Sequence, residues 1–189
     1  MVESIPRARK KYVEPDGSLD SKRLRNTFDS FSKAKRNLRF PSDYESQPLT
    51  QLIYQEYNDR MIAQNAIDFE DILLYAYRIL SEKSSIADIY QRIYRNICVD
   101  EAQDLNKAQY EVIKAIAGES SGIFMVGDPN QAIYGFNGSS PDYMLKHFHT
   151  DYPDVVTYEL LENYRSSRAV IDAAKRIEPS FVMTGVLPI

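Results

Sequence analysis

In 189 residues there is one cysteine, Cys98, and there are two histidines, His147 and His149. A lone cysteine excludes an internal disulfide, and these three side chains fall short of a four-ligand Cys/His zinc site. No apolar run approaches the roughly 20 residues that span a bilayer, and no apolar signal-peptide core opens the chain. These absences argue against membrane insertion and secretion and fit a reducing, cytoplasmic setting. Glycine is also scarce: none of the 7 glycines is followed by lysine, so the phosphate-cradling pattern G-x-x-x-x-G-K-[ST] does not occur in these residues. Internal repeats and low-complexity segments are absent too.

What remains is the composition of a folded protein, 43% hydrophobic and 26% charged. The net charge of −4 conceals an asymmetry, because residues 1–40 carry +6 and residues 41–189 carry −10. A basic first segment suits a polyanion, while an acidic remainder suits a metal ion or a solvated surface.

The spacing predicts three helices in the first half. From Ser21 to Phe40, Leu24, Phe28, Phe31, Lys35 and Leu38 share one stripe, with Arg25, Lys33, Arg36 and Arg39 between them. A second pattern opens at Pro48 and runs through Leu52, Ile53 and Tyr57 to Met61. A third is N-capped by Asp68 and aligns Phe69, Ile72, Leu73, Ala76, Tyr77 and Leu80.

The pattern then changes. Short apolar runs at Ile97–Val99 and Ile123–Val126 read as buried parallel strands, with a helix over about Asn106 to Ala117 between them. Further on, Ser140 and Pro141 open a helix, Val155 to Leu160 reads as a strand, and Ser167 opens a last helix through Ile177. Alternating strands and helices predict a parallel α/β sheet, preceded by an all-helical segment, whose ligands bind beyond the carboxyl ends of the strands.

Three polar clusters fall at those ends. Asp100, Glu101, Gln103 and Asp104 follow the first strand. One of two adjacent carboxylates can hold Mg²⁺ while the next deprotonates a water, although the same pair also suits a solvated acidic turn. The second cluster runs from Gly127 to Gly138; Tyr134 and Phe136, two apart, can form a stacking platform for unpaired bases or fill the core beneath a loop. The third holds Tyr164 and Arg165, suited to a base and to the charge of a transferring phosphate.

In this order the runs VDEAQD (99–104), VGDPNQAIYGFNGS (126–139) and LLENYRSS (160–167) resemble the superfamily 1 DNA helicases of the UvrD/Rep/PcrA type. DFEDILL (68–74) is similar to the element preceding the acidic motif in that family. The resemblance is strong over about residues 68 to 177 and implies a partial RecA-like sheet. It implies three parts: a basic helical segment, 1–67, belonging to an inserted subdomain; the C-terminal part of a first motor domain, 68–178; and a tail, 179–189, leading toward a second motor domain.

The resemblance also implies ATP and Mg²⁺ as cofactors and roles for single residues. Asp100 would hold the metal, Glu101 would activate the hydrolytic water, and Gln131 would sense the γ-phosphate. Tyr164 would lie against the adenine and Arg165 would reach the γ-phosphate. Tyr134, Phe136 and Asn137 would meet single-stranded DNA, with the basic helices near duplex DNA at the junction. Asn137 departs from the arginine usual in the family. The Ile133–Phe136 continuation favours the DNA branch over the RNA-directed one, and the family implies 3′ to 5′ movement.

Since the phosphate loop is missing from these residues, the expectation is a piece from inside a longer first motor domain. Its partners would include the missing motor segments, and by itself it would hydrolyse ATP poorly. A non-catalytic DNA- or protein-binding module on the same scaffold is the alternative. A nuclease is a third reading, disfavoured because the carboxylates follow the helicase order.

Overall fold

A computed structural model describes Ile5, residues 11–179 and residues 183–187, the side chains of 185–187 apart. By internal contacts the chain forms two units, Met1–Asp151 and Tyr152–Ile189. The fold is mixed α/β with parallel strands, as the sequence pattern predicts.

In the first unit, helix α1 (Ser21–Arg36) starts where the Asp20 carboxylate accepts a hydrogen bond from the Arg23 amide. It stops short of Phe40, because Asn37 caps it and Leu38 turns left-handed at φ 55°. Helix α2 (Pro48–Ala63) begins with proline at its first position, where a missing N–H costs nothing. Phe31 of α1 stacks on Tyr54 of α2 at 4.6 Å between centroids. Ile5, Tyr12, Ala34 and Ile53 complete this aromatic core.

Helix α3 (Phe69–Glu82) opens with a reciprocal capping box between Asp68 and Asp71. The buried face of α3 differs from the predicted stripe. Asp71, Leu74 and Leu80 are buried, whereas Phe69 and Ile72 face solvent. The cause is Lys35, which lies on the apolar stripe of α1 and is completely buried. Its Nζ sits 2.5 Å from Asp68 Oδ2 and 2.7 Å from Asp71 Oδ1. The Tyr57 hydroxyl donates to the same Asp68 oxygen at 2.8 Å, so α1, α2 and the start of α3 meet at one charge cluster. Burial alone would raise the Asp68 pKa, but the hydrogen bonds from Lys35, Tyr57 and the Asp71 amide outweigh it and hold the carboxyl below its usual range.

Helix α4 (Ser84–Ile93) is an addition to the elements predicted from sequence. Strands β1 (Asn96–Val99) and β2 (Gly122–Met125) then pair in parallel, with Cys98 opposite Phe124 and Val99 opposite Met125. The pairing is as expected but the burial is not: Cys98 and Phe124 are exposed, and Ile97, Val99, Ile123 and Met125 are only half-buried, because one face of this pair of strands is uncovered among the described residues. The connection carries helix α5 (Lys107–Ile116), capped reciprocally by Asn106 and Gln109 and packed against α3. The helix expected from Pro141 takes another form. The Ser140 hydroxyl accepts from the Asp142 amide, a π-helical turn covers Tyr143–His147, and the short helix α6 (Phe148–Asp151) follows, burying Phe148.

The second unit holds β3 (Glu162–Ser167), α7 (Arg168–Ile177) and β4 (Thr184–Leu187), with β3 and β4 parallel. Here the strand expected at Val155–Leu160 is corrected: that segment has no ladder partner among the described residues, and the strand lies at Glu162–Ser167 instead. Alternation of Val156, Tyr158 and Leu160 gave a strand pattern, but all three side chains remain exposed. Among the described residues no helix is long and apolar enough to cross a membrane.

Removing a partner from a buried ion pair costs ~3–5 kcal/mol because an uncompensated charge stays inside. Lys35→Met is therefore expected to lower unfolding stability by about that amount in urea titrations. Because the Asp68 pKa is lower folded than unfolded, its stabilisation is present above the unfolded value near ~4 and is lost as pH falls through the folded value. Asp68→Asn should flatten that acid limb of the stability curve.

Candidate functional site

Both strands of the first unit end in chemistry. After Val99, the Asp100 side chain accepts a hydrogen bond from the Glu101 amide at 2.9 Å, and Glu101 itself is left-handed at φ 51°. Such a conformation costs a non-glycine residue of order 1–3 kcal/mol and persists only where its surroundings enforce it. Two contacts do so. The Ala102 amide donates to the Val126 carbonyl at 2.9 Å, extending the strand pairing past β1. The Gln103 side chain, 1% exposed, donates through Nε2 to Glu101 Oε2 at 2.7 Å.

The other end of the Gln103 amide reaches the second cluster. Its Oε1 accepts from the Asp128 backbone N–H at 3.1 Å. Since that N–H can only donate, the amide must turn its oxygen to Asp128 and its nitrogen to the Glu101 carboxylate. Asp128 closes the sequence of bonds, its Oδ1 accepting from the Asn130 amide at 3.0 Å and its Oδ2 from Gln131 Nε2 at 2.9 Å. Glu101 and Gln131 are thus linked through Gln103 and Asp128. Gly127 makes the approach possible: a Cβ there would stand 2.4 Å from Gln103 Oε1 and 3.0 Å from the Ala102 nitrogen.

Beyond Gln131 the chain lifts its aromatic residues outward. Tyr134 and Phe136 are 45% and 79% exposed, with ring centroids 6.0 Å apart and planes inclined at 49°. They flank and enter the 3₁₀ turn Gly135–Asn137 and do not fill the core beneath a loop. Asn137 Oδ1 accepts from Arg36 Nη1 at 3.1 Å, and the same guanidinium nitrogen lies 3.7 Å from Glu70 Oε1. Through Arg36 the turn is near the start of α3, where Phe69 is 85% exposed. The periodicity placed Phe69 in the core; the signal that separates it is the following acidic pair, Glu70 and Asp71, which the basic α1 draws inward.

The remaining expected residues, Tyr164 and Arg165, lie on β3 of the second unit, and both are exposed. The Tyr164 hydroxyl donates to the Glu162 carboxylate, a bond that raises the tyrosine pKa. Asn163 Oδ1 accepts from the Arg165 and Ser166 amides at 3.0 and 2.7 Å, fixing the bend that presents Arg165.

The donor set decides which metal mode fits. No group of three or more His, Cys, Asp or Glu side chains forms a metal cage among the described residues. The exposed Asp100 carboxylate instead suits a magnesium held by one carboxylate, waters and nucleotide phosphates.

With this geometry in view, the sequence comparisons are decisive about family. Residues 5–153 match the model of the UvrD/REP helicase N-terminal domain, and the chain belongs to that family. It is 32% identical over 176 residues to the ATP-dependent DNA helicase PcrA of Staphylococcus aureus strain Mu50, covering 88% of this chain and 24% of that protein. The PcrA helicase of Staphylococcus epidermidis strain RP62A is 31% identical over 168 residues, 85% of this chain and 23% of that protein. The chain thus spans about a quarter of the length of these curated relatives.

The Gln103 bridge predicts that Gly127→Ala displaces the amide and frees Glu101. Hydrogen exchange should quicken for the amides of 101–104 and 127–131 while α1 and α2 stay protected. Unchanged exchange there would mean the close approach has another accommodation.

Proposed function

We propose that this chain is part of an ATP-dependent DNA translocase that couples MgATP hydrolysis to movement on single-stranded DNA, 3′ to 5′. The observation that carries the reading is the hydrogen-bond sequence Glu101–Gln103–Asp128–Gln131, which joins two strand-end clusters and leads within five residues to an exposed aromatic pair. A carboxylate, an amide sensor and a stacking surface in one connected segment are what coupling hydrolysis to DNA grip requires. Relatives named as ATP-dependent DNA helicases support the same assignment.

In this reading Asp100 holds magnesium, which when bound neutralises charge on the nucleotide phosphates. Glu101 takes the proton of the attacking water, its oxygen oriented by Gln103. Gln131 approaches the γ-phosphate with its amide already engaged by Asp128. Tyr164 stacks on the adenine and Arg165 meets the γ-phosphate. Tyr134 and Phe136 stack on bases, Asn137 meets the strand beside them, and the basic face of α1 lies toward duplex DNA at the junction. Domain boundaries near residues 67 and 178, a cytoplasmic setting and assembly with further motor-domain segments belong to the same proposal.

These 189 residues contain no glycine–lysine step, so no loop amides and lysine hold the β- and γ-phosphates. Measured alone with Mg²⁺ and single-stranded DNA, the chain should show no ATP hydrolysis above a Glu101→Gln control. In a longer protein that carries the loop, Glu101→Gln should lower the rate by ~10²–10⁴, the usual contribution of a general base. An equal rate for the two longer proteins would remove Glu101 from its role.

That absence also favours a second reading, a non-catalytic module that binds DNA or protein through the same surface. Stacking contributes ~1–3 kcal/mol per base, so the 189 residues should bind oligo-dT weakly and with a steep salt dependence. Tyr134→Ala with Phe136→Ala should abolish that binding in a fluorescence anisotropy titration. Binding that survives the double substitution would count against the platform in both readings.

A further inference from the structure

We propose that Arg36, on the last turn of α1, is the positioning residue of the single-strand platform: its guanidinium fixes the Gly135–Asn137 turn and thereby sets the two rings that receive bases. The proposal rests on the DNA reading of Tyr134 and Phe136 and adds what holds them in place.

Three observations carry it. Arg36 Nη1 donates to Asn137 Oδ1 at 3.1 Å across a separation of 101 residues, connecting the basic helix to the turn. The side chain is only 19% exposed, and its Nε is buried with no hydrogen-bond partner. A solvated helix-face arginine would not carry that uncompensated donor. Glu70 Oε1, at 3.7 Å from the same nitrogen and 22% exposed, balances the charge and aims the fork at the turn.

The turn needs such a hold. Its own bonds are local, from the Asn137 amide to the Tyr134 carbonyl at 2.8 Å and from the Gly138 amide to Gly135 at 3.0 Å. Phe136 is 79% exposed and Tyr134 45%, so packing alone holds Phe136 weakly. Asn137 is the turn residue whose side chain faces the helices, and its oxygen accepts the guanidinium proton. The rigid guanidinium plane holds Nη1 in one orientation between Asn137 and Glu70, whereas a lysine ammonium, a point charge on a flexible stem, is not so fixed.

The geometry separates positioning from direct DNA contact. A phosphate-binding arginine would contribute about 0.7 to the salt slope for single-stranded DNA, and a positioning arginine contributes nothing to it. The chain is titrated with fluorescein-labelled oligo-dT across a salt series, as wild type, Arg36→Ala, Arg36→Lys, Asn137→Ala and the Arg36→Ala/Asn137→Ala double variant. Thermal melts and amide hydrogen exchange are recorded on the same samples.

The expected result is a loss of roughly five- to tenfold in affinity for each single variant, near the low end of what displacing one stacked base costs. The double variant should be no weaker than either single one, the salt slope should be unchanged, and exchange should quicken at 134–138 with the melting temperature retained. Asn137→Ala removes the same bond from the exposed side, so it decides the matter if Arg36→Ala does not fold. Wild-type binding with undiminished affinity in Asn137→Ala and Arg36→Lys would overturn the proposal and leave the platform standing. A salt slope reduced by about 0.7 would make Arg36 a phosphate contact and overturn positioning. A wild-type chain that fails to bind oligo-dT even at low salt would overturn the platform itself, and this proposal with it.

Discussion

The buried ammonium of Lys35 is the constraint around which the helical part of the first unit is arranged. A charge with no exposure must be met by opposite charge and by hydrogen bonds, and here two carboxylates do so, while the Tyr57 hydroxyl donates to one of them and its ring faces the ammonium at 4.9 Å. The requirement fixes the rotation of α1 about its axis, the entry of α3 and the position of Tyr57. It also forces Asp71 inward, which turns Phe69 and Ile72 outward. An aromatic side chain is thus exposed beside the basic helix because a lysine in the last turn of α1 could not be left unpaired.

The same pairing explains what could and could not be read from sequence. The helices at Ser21, Pro48 and Asp68 were legible because capping residues and apolar spacing are local signals. So were β1 and β2, as apolar runs stopped by Asp100 and Gly127. The face that α3 buries was not legible, since it follows from a contact between Lys35 and residues 33 and 36 positions away, and periodicity places Phe69 on the wrong side. The strand read at Val155–Leu160 shows the complementary error. Alternation there satisfies the strand pattern, but pairing is a property of two segments, and the partner β4 matches Glu162–Ser167.

At the strand ends, the polar clusters were legible in the sequence and their linkage was not; which of these residues act is part of the proposed function. Asp100, Glu101 and Gln131 announce themselves by type and by place at strand ends. Gln103 is visible in the sequence as a member of the first cluster, but not as a bridge to the second. Its importance emerges from burial and from two bonds at opposite ends of one side chain. Gly127 likewise reads as a turn residue, whereas its role is the space it leaves for Gln103.

Two different attachments meet in the ten residues from Asp128 to Asn137. At one end Asp128 is fastened to the sheet through Gln103 and shares its carboxylate with Gln131. At the other, Asn137 is fastened to the helices through Arg36. The short 3₁₀ turns between them make few contacts with the body, so a displacement imposed at one anchor is not absorbed by packing. Under the proposed function this is a physical route for coupling. In that reading, a change in what Glu101 and Gln131 bind would shift the sheet-side anchor against the helix-side one, and the strain would fall on Tyr134 and Phe136. Such coupling needs no large motion, only that the two anchors belong to different elements and that the segment joining them is short.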